Sequence, residues 1–340
     1  MNGKSIVKAL VSGALFVAVT AGMAAADVRQ LSLGHTGQDM NIFSKAAKMF
    51  GELVEKESGG TMKVNVVGAG GLGNNREGVE QIQMGVTDFW VVSTGLLAPF
   101  TKAVSIYDLP YLFKSAEAGI AFFNSDLALE VAKPLEQKGI KAIGYMTQGW
   151  RHIHSNKPIR TPEDLKGLKI RTMSTPIHME LFKAMNANAI PMDFSEVFTA
   201  LQQGVIDGGE NPFENIKAQG FYKVQKYITM DGHVLDPMML VISKKTWDSL
   251  SDDQKAVVMK AAKAACAWDQ ENVLAANRKV MEEFKAAGAP GIVELTAEQR
   301  AAFRKAAQKV YDDHIKEVGE DIYTKVMDFQ KDFKEVPPQN

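Results

Sequence analysis

Apolar and polar residues alternate along the chain with two different periods, which predict strands and helices in turn. Leu31 and Leu33 are separated by polar residues, the period of two that is typical of a half-buried strand. Between Ile42 and Val54 the apolar residues recur at helical spacing and form one wide face. The continuous apolar run 89–92 is typical of a strand that is covered on both sides.

The alternation of strands and helices continues to residue 243. Further strands are predicted at 62–66, 140–145, 168–172, 190–192 and 238–243. Thr161, followed by a proline and two acids, predicts a helix start, and a second helix is predicted from Ser195 to Gln203. The stretch 207–212, rich in glycine and ending in Asn-Pro, predicts a turn between helices. This order predicts an α/β fold with mostly parallel sheets and helices on both faces.

A much longer helix is predicted after residue 250. Ser251 and Gln254 form a capping-box pattern, and the helical pattern then runs unbroken to about Ala287, before Gly288. Such a helix is about 50 Å long at 1.5 Å per residue, which exceeds the size of one lobe. We therefore expect it to bridge two lobes.

The first residues predict an exported protein. Lys4 and Lys8 precede the apolar run 9–21, and Ala24-Ala25-Ala26 supplies a cleavage pattern. We expect residues 1–26 to be a signal peptide that is cleaved after Ala26. The apolar run is too short for a membrane span, so the mature protein is expected in the periplasm.

Charge and cysteine content narrow the function classes. The formal net charge is −1, without the basic surplus that nucleic-acid binding or a polybasic membrane contact requires. Cys266, the single cysteine, lies among alanines in the long helix, which favours a small core residue over a reactive thiol.

Two patterns that suggest a cofactor or a metal are outweighed by their context. Gly68, Gly70 and Gly73 spell G-x-G-x-x-G, with Asp88 downstream, but Asp88 precedes its strand instead of ending one. We interpret these glycines as a flexible loop near a crevice. His152 and His154 lack a third ligand for zinc. We expect no catalytic residue, no metal and no cofactor.

Arginine at a strand end is the strongest candidate for ligand binding. Arg171 lies near the carboxyl end of strand 168–172, where open parallel sheets bind ligands, and guanidinium matches a carboxylate with two parallel hydrogen bonds. Spacing alone favours an ordinary surface arginine. Arg151 and Asn211 are further polar candidates, although Asn211 also fits a turn before proline. Trp150 and Phe194 are predicted either as an apolar wall of the pocket or as core residues.

Several ordered motifs over nearly the whole mature chain resemble one family. They are Gly149-Trp150-Arg151, residues 161–172, 194–197 and 207–212. These motifs resemble the substrate-binding subunits of tripartite ATP-independent periplasmic (TRAP) transporters, of the dicarboxylate-binding (DctP) type. The resemblance implies a two-lobed periplasmic-binding-protein fold with crossing hinge segments and a long bridging helix. We expect lobe I to comprise 27–148 plus 237–276, and lobe II 149–236 plus 277–340.

The resemblance also implies a ligand site. Arg171 would grip the ligand carboxylate, and other positions would line the pocket: Arg151, Phe194, Asn211, Met173, Trp150, Thr36, Asn74, Asn75 and Ser93. Glu210 matches a position where some relatives hold a metal beside the ligand. Ser93 replaces the acid of sialic-acid-binding members, so that ligand is not expected. The segment 149–211 is most similar to members that bind sugar acids and hydroxy acids.

The implied function is capture without chemistry. A monomer would bind a small organic anion, a carboxylate or alternatively a sulfonate, and deliver it to integral membrane permease subunits. Two alternatives stay open at this point, a periplasmic sensor that docks on a signalling receptor and an exported enzyme of similar fold.

Overall fold

In the computed structural model, which describes residues 27–338, nine strands form one sheet with two long strands at its centre. The strands are β1 (Arg29–Gly34), β2 (Met62–Val67), β3 (Phe89–Ser93), β4 (Ile140–Ser155), β5 (Lys169–Thr172), β6 (Asn188–Pro191), β7 (Gly208–Asn211), β8 (Tyr227–Ser243) and β9 (Gly291–Val293). Their order is β2-β1-β3-β8-β4-β7-β5-β6, and β9 pairs with β8.

Helices cover the sheet along the same stretch of chain. The α-helices are α1 (Ile42–Glu57), α2 (Asn75–Met84), α3 (Ala116–Phe123), α4 (Asp126–Ala132), α5 (Pro176–Ala184), α6 (Val197–Gln202), α7 (Phe213–Ala218), α8 (Lys244–Ser249), α9 (Asp252–Ala287), α10 (Ala297–Val318) and α11 (Glu320–Phe329). Short 3-10 helices include Lys102–Asp108 and Pro162–Leu165. Within residues 27–338, no helix has the length and apolar character needed to cross a membrane.

The sheet consists of two parallel groups joined by antiparallel strands. At one end β1 pairs in parallel with β2 and β3, and at the other end β5 pairs in parallel with β6 and β7. Every antiparallel pairing between described strands involves β4 or β8. This arrangement confirms the predicted α/β class with mostly parallel strands.

β4 and β8 are the crossing segments. The first half of β4 pairs with the end of β8 beside β3, whereas its last residues, His152–Ser155, pair with β7. The β4–β8 register shifts between Thr147 and Gly149 and again between Arg151 and Ile153. Such bulges bend and twist a strand pair, so β4 passes from the first parallel group to the second near its middle.

The long helix α9 packs on both groups, as predicted. Its 36 residues span about 54 Å. Near its start, Ala262 and Cys266 pack in a core with residues of β1 and β3. Near its end, Val280 and Phe284 pack in another core with Phe213 and neighbouring side chains.

Three sequence interpretations are wrong in detail. The predicted strands 140–145 and 238–243 are the outer parts of the much longer β4 and β8. The helix predicted from Thr161 is a single 3-10 turn. The predicted turn 207–212 contains β7, because pairing with β4 and β5 on either side overrides the local preference of its glycines for turns.

Two predictions about chain boundaries are not tested by the fold. The signal peptide, residues 1–26, lies outside the described residues. The division of the chain into lobes I and II at 148/149, 236/237 and 276/277 stays a prediction. The first two of these boundaries fall beside the bulges of the crossing strands.

Cys266 is a core residue, as predicted. Its side chain is buried, and burial raises the pKa of its thiol well above the ordinary value. A Cβ added to Gly144 of β4 would lie 2.7 Å from the Cys266 sulfur, closer than a carbon and a sulfur can approach. Helix α9 therefore packs on β4 through a glycine–cysteine contact.

This contact predicts a coupled pair of substitutions. Gly144→Ala should lower the free energy of unfolding by about 1–3 kcal/mol because the added methyl overpacks the core. Adding Cys266→Ala should recover part of that loss, with a coupling energy of about 0.5 kcal/mol or more. Urea unfolding of the two single variants and the double variant measures this, and strictly additive effects would contradict the contact.

Candidate functional site

A cavity of about 1090 Å³ lies where the parallel strands of both groups end. Thr36 follows β1, and Ser93 ends β3, in the first group. Met173 follows β5, and Asn211 ends β7, in the second group. Ligands of open α/β sheets bind outside the carboxyl ends of the strands, so this cavity is the candidate binding site.

Most of the predicted ligand contacts line this cavity. They are Thr36, Asn74, Asn75, Ser93, Arg151, Arg171, Met173, Phe194 and Asn211. Trp150 and Glu210 do not line it. Residues that the sequence analysis missed include Gln38, Phe43, Gln148, Asn215 and Met238.

Arg171 is buried at the cavity with part of its guanidinium unused. Its Nε and Nη2 donate to the carbonyl oxygen of Met192 at 3.0 and 2.6 Å, which fixes the plane of the group. Its Nη1 is buried and has no hydrogen-bond partner. An unpaired buried donor of this kind is costly unless a ligand satisfies it.

The charge of Arg171 persists at neutral pH. Burial lowers the pKa of its guanidinium to about 10, and Arg151 adds to that effect while Glu210 opposes it. The ring of Phe194 lies 5.8 Å from the guanidinium carbon, within the range of a cation–π contact. The sheet thus holds a rigid, charged donor at the wall of the cavity.

Arg151 differs from the expectation because its charge is already paired. Its Nε is in close contact with a carboxylate oxygen of Glu210, and its Nη1 donates to Asp236 at 2.5 Å. All three side chains are at most 2% exposed. Arg151 therefore lines the cavity without a free positive charge to offer a ligand.

The ligand role of Glu210 stays a prediction, and the structure places its side chain in the ion pair with Arg151 and not in the cavity lining. Its carboxylate faces Arg151 and accepts from His233 at 3.2 Å, away from the cavity. Burial raises the pKa of this carboxyl, but Arg151, His178 and His233 outweigh burial and hold the pKa well below its ordinary value. Among residues 27–338, no group of three His, Cys, Asp or Glu side chains is arranged to hold a metal ion.

Trp150 is a core residue and not a wall of the cavity. It is 2% exposed and packs in the central core of the protein. Successive side chains of a strand point to opposite faces, and the next residue, Arg151, lines the cavity. Trp150 must therefore point away, which is the core alternative that the sequence left open.

The first group of strands contributes an ordered polar rim. Asn74 caps α2, accepting from the amide of Glu77 at 3.0 Å. Asn75 donates to Thr36 at 3.2 Å and accepts from the Trp90 indole at 3.3 Å. The buried Trp90 thus fixes the orientation of Asn75 at the cavity wall.

The glycine-rich loop borders the cavity, as predicted. Ala69, Gly70 and Gly73 line it, and Ala69 and Gly70 adopt left-handed φ values of 53° and 73°. Asp88 instead accepts from the amide of Ser32 at 2.8 Å and from Thr246 at 2.7 Å. This carboxylate is engaged in the fold, so the dinucleotide pattern lacks the acid that would bind a ribose.

The ion pairs of Arg151 predict how Glu210 affects stability. Glu210→Ala should lower the free energy of unfolding by about 3–5 kcal/mol, because it leaves part of a buried charge unpaired. Glu210→Gln, which keeps the shape, should cost less. Urea unfolding measures both, with the exposed Glu163→Ala as the control expected within about 0.5 kcal/mol of wild type. A Glu210→Ala variant as stable as this control would contradict the assignment.

Comparisons with known proteins agree with this geometry. The family model for bacterial extracellular solute-binding protein, family 7 (DctP) matches residues 33–317. The 2,3-diketo-L-gulonate-binding periplasmic protein YiaO of Escherichia coli is 30% identical over 326 residues, covering 94% of this chain and 98% of YiaO. A solute-binding protein of Verminephrobacter eiseniae is 35% identical, over 72% of this chain and 73% of its own.

Solved structures show the same fold. The sugar acid binding protein DctPAm of Advenella mimigardefordensis, in complex with galactonate, superposes with a TM-score of 0.86 at 30% identity, covering 90% of this chain and 98% of that one. A TRAP periplasmic solute binding protein of Shewanella oneidensis with bound succinate gives 0.85 at 26% identity, covering 89% and 99%. This chain belongs to the DctP family of TRAP-type extracellular solute-binding proteins.

Proposed function

We propose that this protein captures an organic anion with one carboxylate and a hydroxylated chain, such as a sugar acid, and delivers it to integral membrane TRAP permease subunits. The observation that carries the proposal is the unused Nη1 of the buried Arg171 in a cavity that also presents amides and hydroxyls. We also propose that residues 1–26 are removed by cleavage after Ala26 and that the protein acts in the periplasm, a location that its periplasmic relatives support.

The charges around the cavity favour a ligand with a single negative group. Among the described residues, three arginines and neither lysine nor histidine line it. Arg151 is neutralised by two carboxylates, and Arg76, 84% exposed, pairs with Glu80 at 3.1 Å. Arg171 is therefore the cation that is both buried and available.

Acidic side chains in the lining argue against a second ligand carboxylate. Glu77, Glu80, Asp193 and Glu196 all line the cavity. A second carboxylate would be desolvated beside like charges without a cation to pair with it, which is unfavourable. A monocarboxylate avoids this cost.

The neutral polar groups favour hydroxyls on the rest of the ligand. Amides and hydroxyls in the lining include Thr36, Asn75, Ser93, Gln148, Asn211 and Asn215. An amide offers both a donor and an acceptor, which suits a hydroxyl that both donates and accepts. A site that pairs with hydroxyls discriminates strongly against ligands that lack them, since its own polar groups are then left unsatisfied.

Capture needs no bond-breaking chemistry. Both groups of strands contribute side chains to one cavity, so a ligand held by Arg171 can also bind side chains of the first group. Those contacts would stabilise the closed form by a population shift, and the membrane partner would open it and take the solute. We expect the protein to act as a monomer in this cycle.

The charge distribution predicts the order of ligand affinities. Galactonate and D-erythronate should bind at least about tenfold more tightly than succinate, because the second carboxylate of succinate has no free cation. Isothermal titration calorimetry measures this, with galactitol as the uncharged control that should not bind. Tighter binding of succinate, or of a cationic ligand alone, would contradict the proposal.

Isothermal titration calorimetry also tests whether Arg171 binds the ligand carboxylate. Arg171→Ala should weaken galactonate binding by about a hundredfold or more, since it removes charge-assisted hydrogen bonds in a buried site. Arg171→Lys should recover only part of the affinity, because an ammonium lacks the planar fork. Arg160→Ala, at an exposed position, is the matched control and should bind like wild type.

A further inference from the structure

The helix α1 lacks a cap from its own side chains. Its N-cap residue, Asn41, makes no side-chain capping bond, and its first turn contains no acid. The Asn41 Oδ1 instead accepts from the amide of Gln38 at 2.9 Å. The first amides of a 16-residue helix carry partial positive charge and need acceptors, so this N-terminus depends on another element.

That element is the start of α7, which contacts the start of α1 directly. The Glu214 carboxylate accepts from the backbone amide of Ile42 at 3.2 Å, and the side-chain Nδ2 of Asn41 donates to Asn215 Oδ1 at 3.0 Å. α1 follows β1 in the first group of strands, whereas α7 follows β7 in the second. These two hydrogen bonds therefore join the two halves of the cleft.

The contact is connected to the ligand cavity and to the crossing strand. Asn215 lines the cavity and donates to the side-chain oxygen of Gln148 in β4. The amide of Glu214 donates to Asn277 of α9 at 3.1 Å, and Asn277 donates to the Gln148 carbonyl at 3.0 Å. A movement of β4 at its bulges would therefore act directly on Glu214 and Asn215.

Charged groups of three elements face the Glu214 carboxylate. Lys45 of α1 and Lys217 of α7 favour its ionised form, although Lys217 also pairs with Glu283 of α9. Asp269 of α9 interacts with it electrostatically. Burial dominates and raises the pKa of Glu214 to about 7, with the Ile42 amide and the two lysines opposing in part.

We propose that Glu214 and the α1 N-terminus form an interlobe latch that binds a proton when the cleft closes over its ligand. Opening separates Glu214 from Ile42 and returns the carboxylate to water, where it ionises. Ligand release is then accompanied by proton release. This inference rests on the proposed function, because ligand binding completes a closure that protonation of Glu214 already favours in the ligand-free protein.

The direction of the pH effect depends on whether the pKa of Glu214 is higher in the closed form or in the open form. With the contact to Ile42 formed, which we assign to the closed form, burial raises the pKa of Glu214 to about 7, whereas a solvated carboxyl has a pKa of about 4.3. At a pH between these two pKa values, closure is therefore accompanied by uptake of a proton, which stabilises the closed form. This stabilisation is lost as the pH rises through about 7. Galactonate stays ionised throughout this range.

Calorimetry with galactonate at pH 6 and pH 8 tests the latch. The wild-type Kd should rise about tenfold between these values. Glu214→Gln, which keeps an acceptor for Ile42 but cannot ionise, should bind equally well at both pH values and more tightly than wild type at pH 8. Titration in two buffers of different ionisation enthalpy should show proton uptake at pH 6 in wild type and less in this variant.

Glu52→Gln, an exposed change on the same helix α1, is the matched control and should keep the wild-type pH dependence. If galactonate binds but wild type and Glu214→Gln show the same pH dependence, the latch is wrong and the proposed function stands. Buried groups that do not interact with Glu214, such as His178, titrate equally in both proteins and cancel in this comparison. Asp269 interacts with Glu214, so its contribution belongs to the effect of the Glu214→Gln change.

Small-angle X-ray scattering decides the latch even if no sugar acid binds. The ligand-free wild type should be more compact at pH 6 than at pH 8, since protonation favours closure. Glu214→Gln should show no such change. An equal radius of gyration of wild type at both pH values would overturn the latch independently of the ligand's identity.

Discussion

The buried ion pairs of Arg151 with Glu210 and Asp236 hold together the centre of the sheet beside the ligand cavity. They join β4, β7 and β8 at the point where the long strands bend from one half of the sheet to the other. They also neutralise an arginine that would otherwise face the ligand. Arg171 is then the buried guanidinium with a free Nη1, which is why we propose a ligand with a single carboxylate. Fold stability and ligand charge thus depend on the same three side chains.

Around this centre, the two halves of the cleft have different tasks. The second half provides a rigid anchor, because the Met192 carbonyl fixes the Arg171 plane before any ligand arrives. The first half provides neutral groups such as Thr36 and Asn75, held in place by the buried Trp90. The contact between Glu214 and Ile42 joins the halves at a distance from the anchor. We therefore propose that affinity, selectivity and closure reside in separable sets of residues.

Local patterns predicted those parts of the molecule that depend on short stretches of chain. Helical periodicity predicted α1 and α9, and the position of Arg171 at a strand end predicted that it lies at the cavity, because both follow from spacing within one element. The pairing of Arg151 and the position of Glu210 could not be predicted, because the two carboxylates that pair with Arg151, Glu210 and Asp236, lie 59 and 85 residues away from it in the sequence. β7 was mistaken for a turn because strand partners, and not its glycines, determine its conformation. Gln148 and Asn215 were missed because a lone amide has no sequence pattern that marks it as a ligand contact.

The central claim is that the free edge of the Arg171 guanidinium binds the ligand carboxylate. A crystal structure of the protein with bound galactonate tests this most directly. We expect the carboxylate within hydrogen-bond distance of Arg171 Nη1, with Arg151 still paired to Glu210 and Asp236 and the ligand hydroxyls facing Asn75, Asn211 and Asn215. A ligand whose carboxylate lies elsewhere, with Arg171 Nη1 still unpaired, would contradict it.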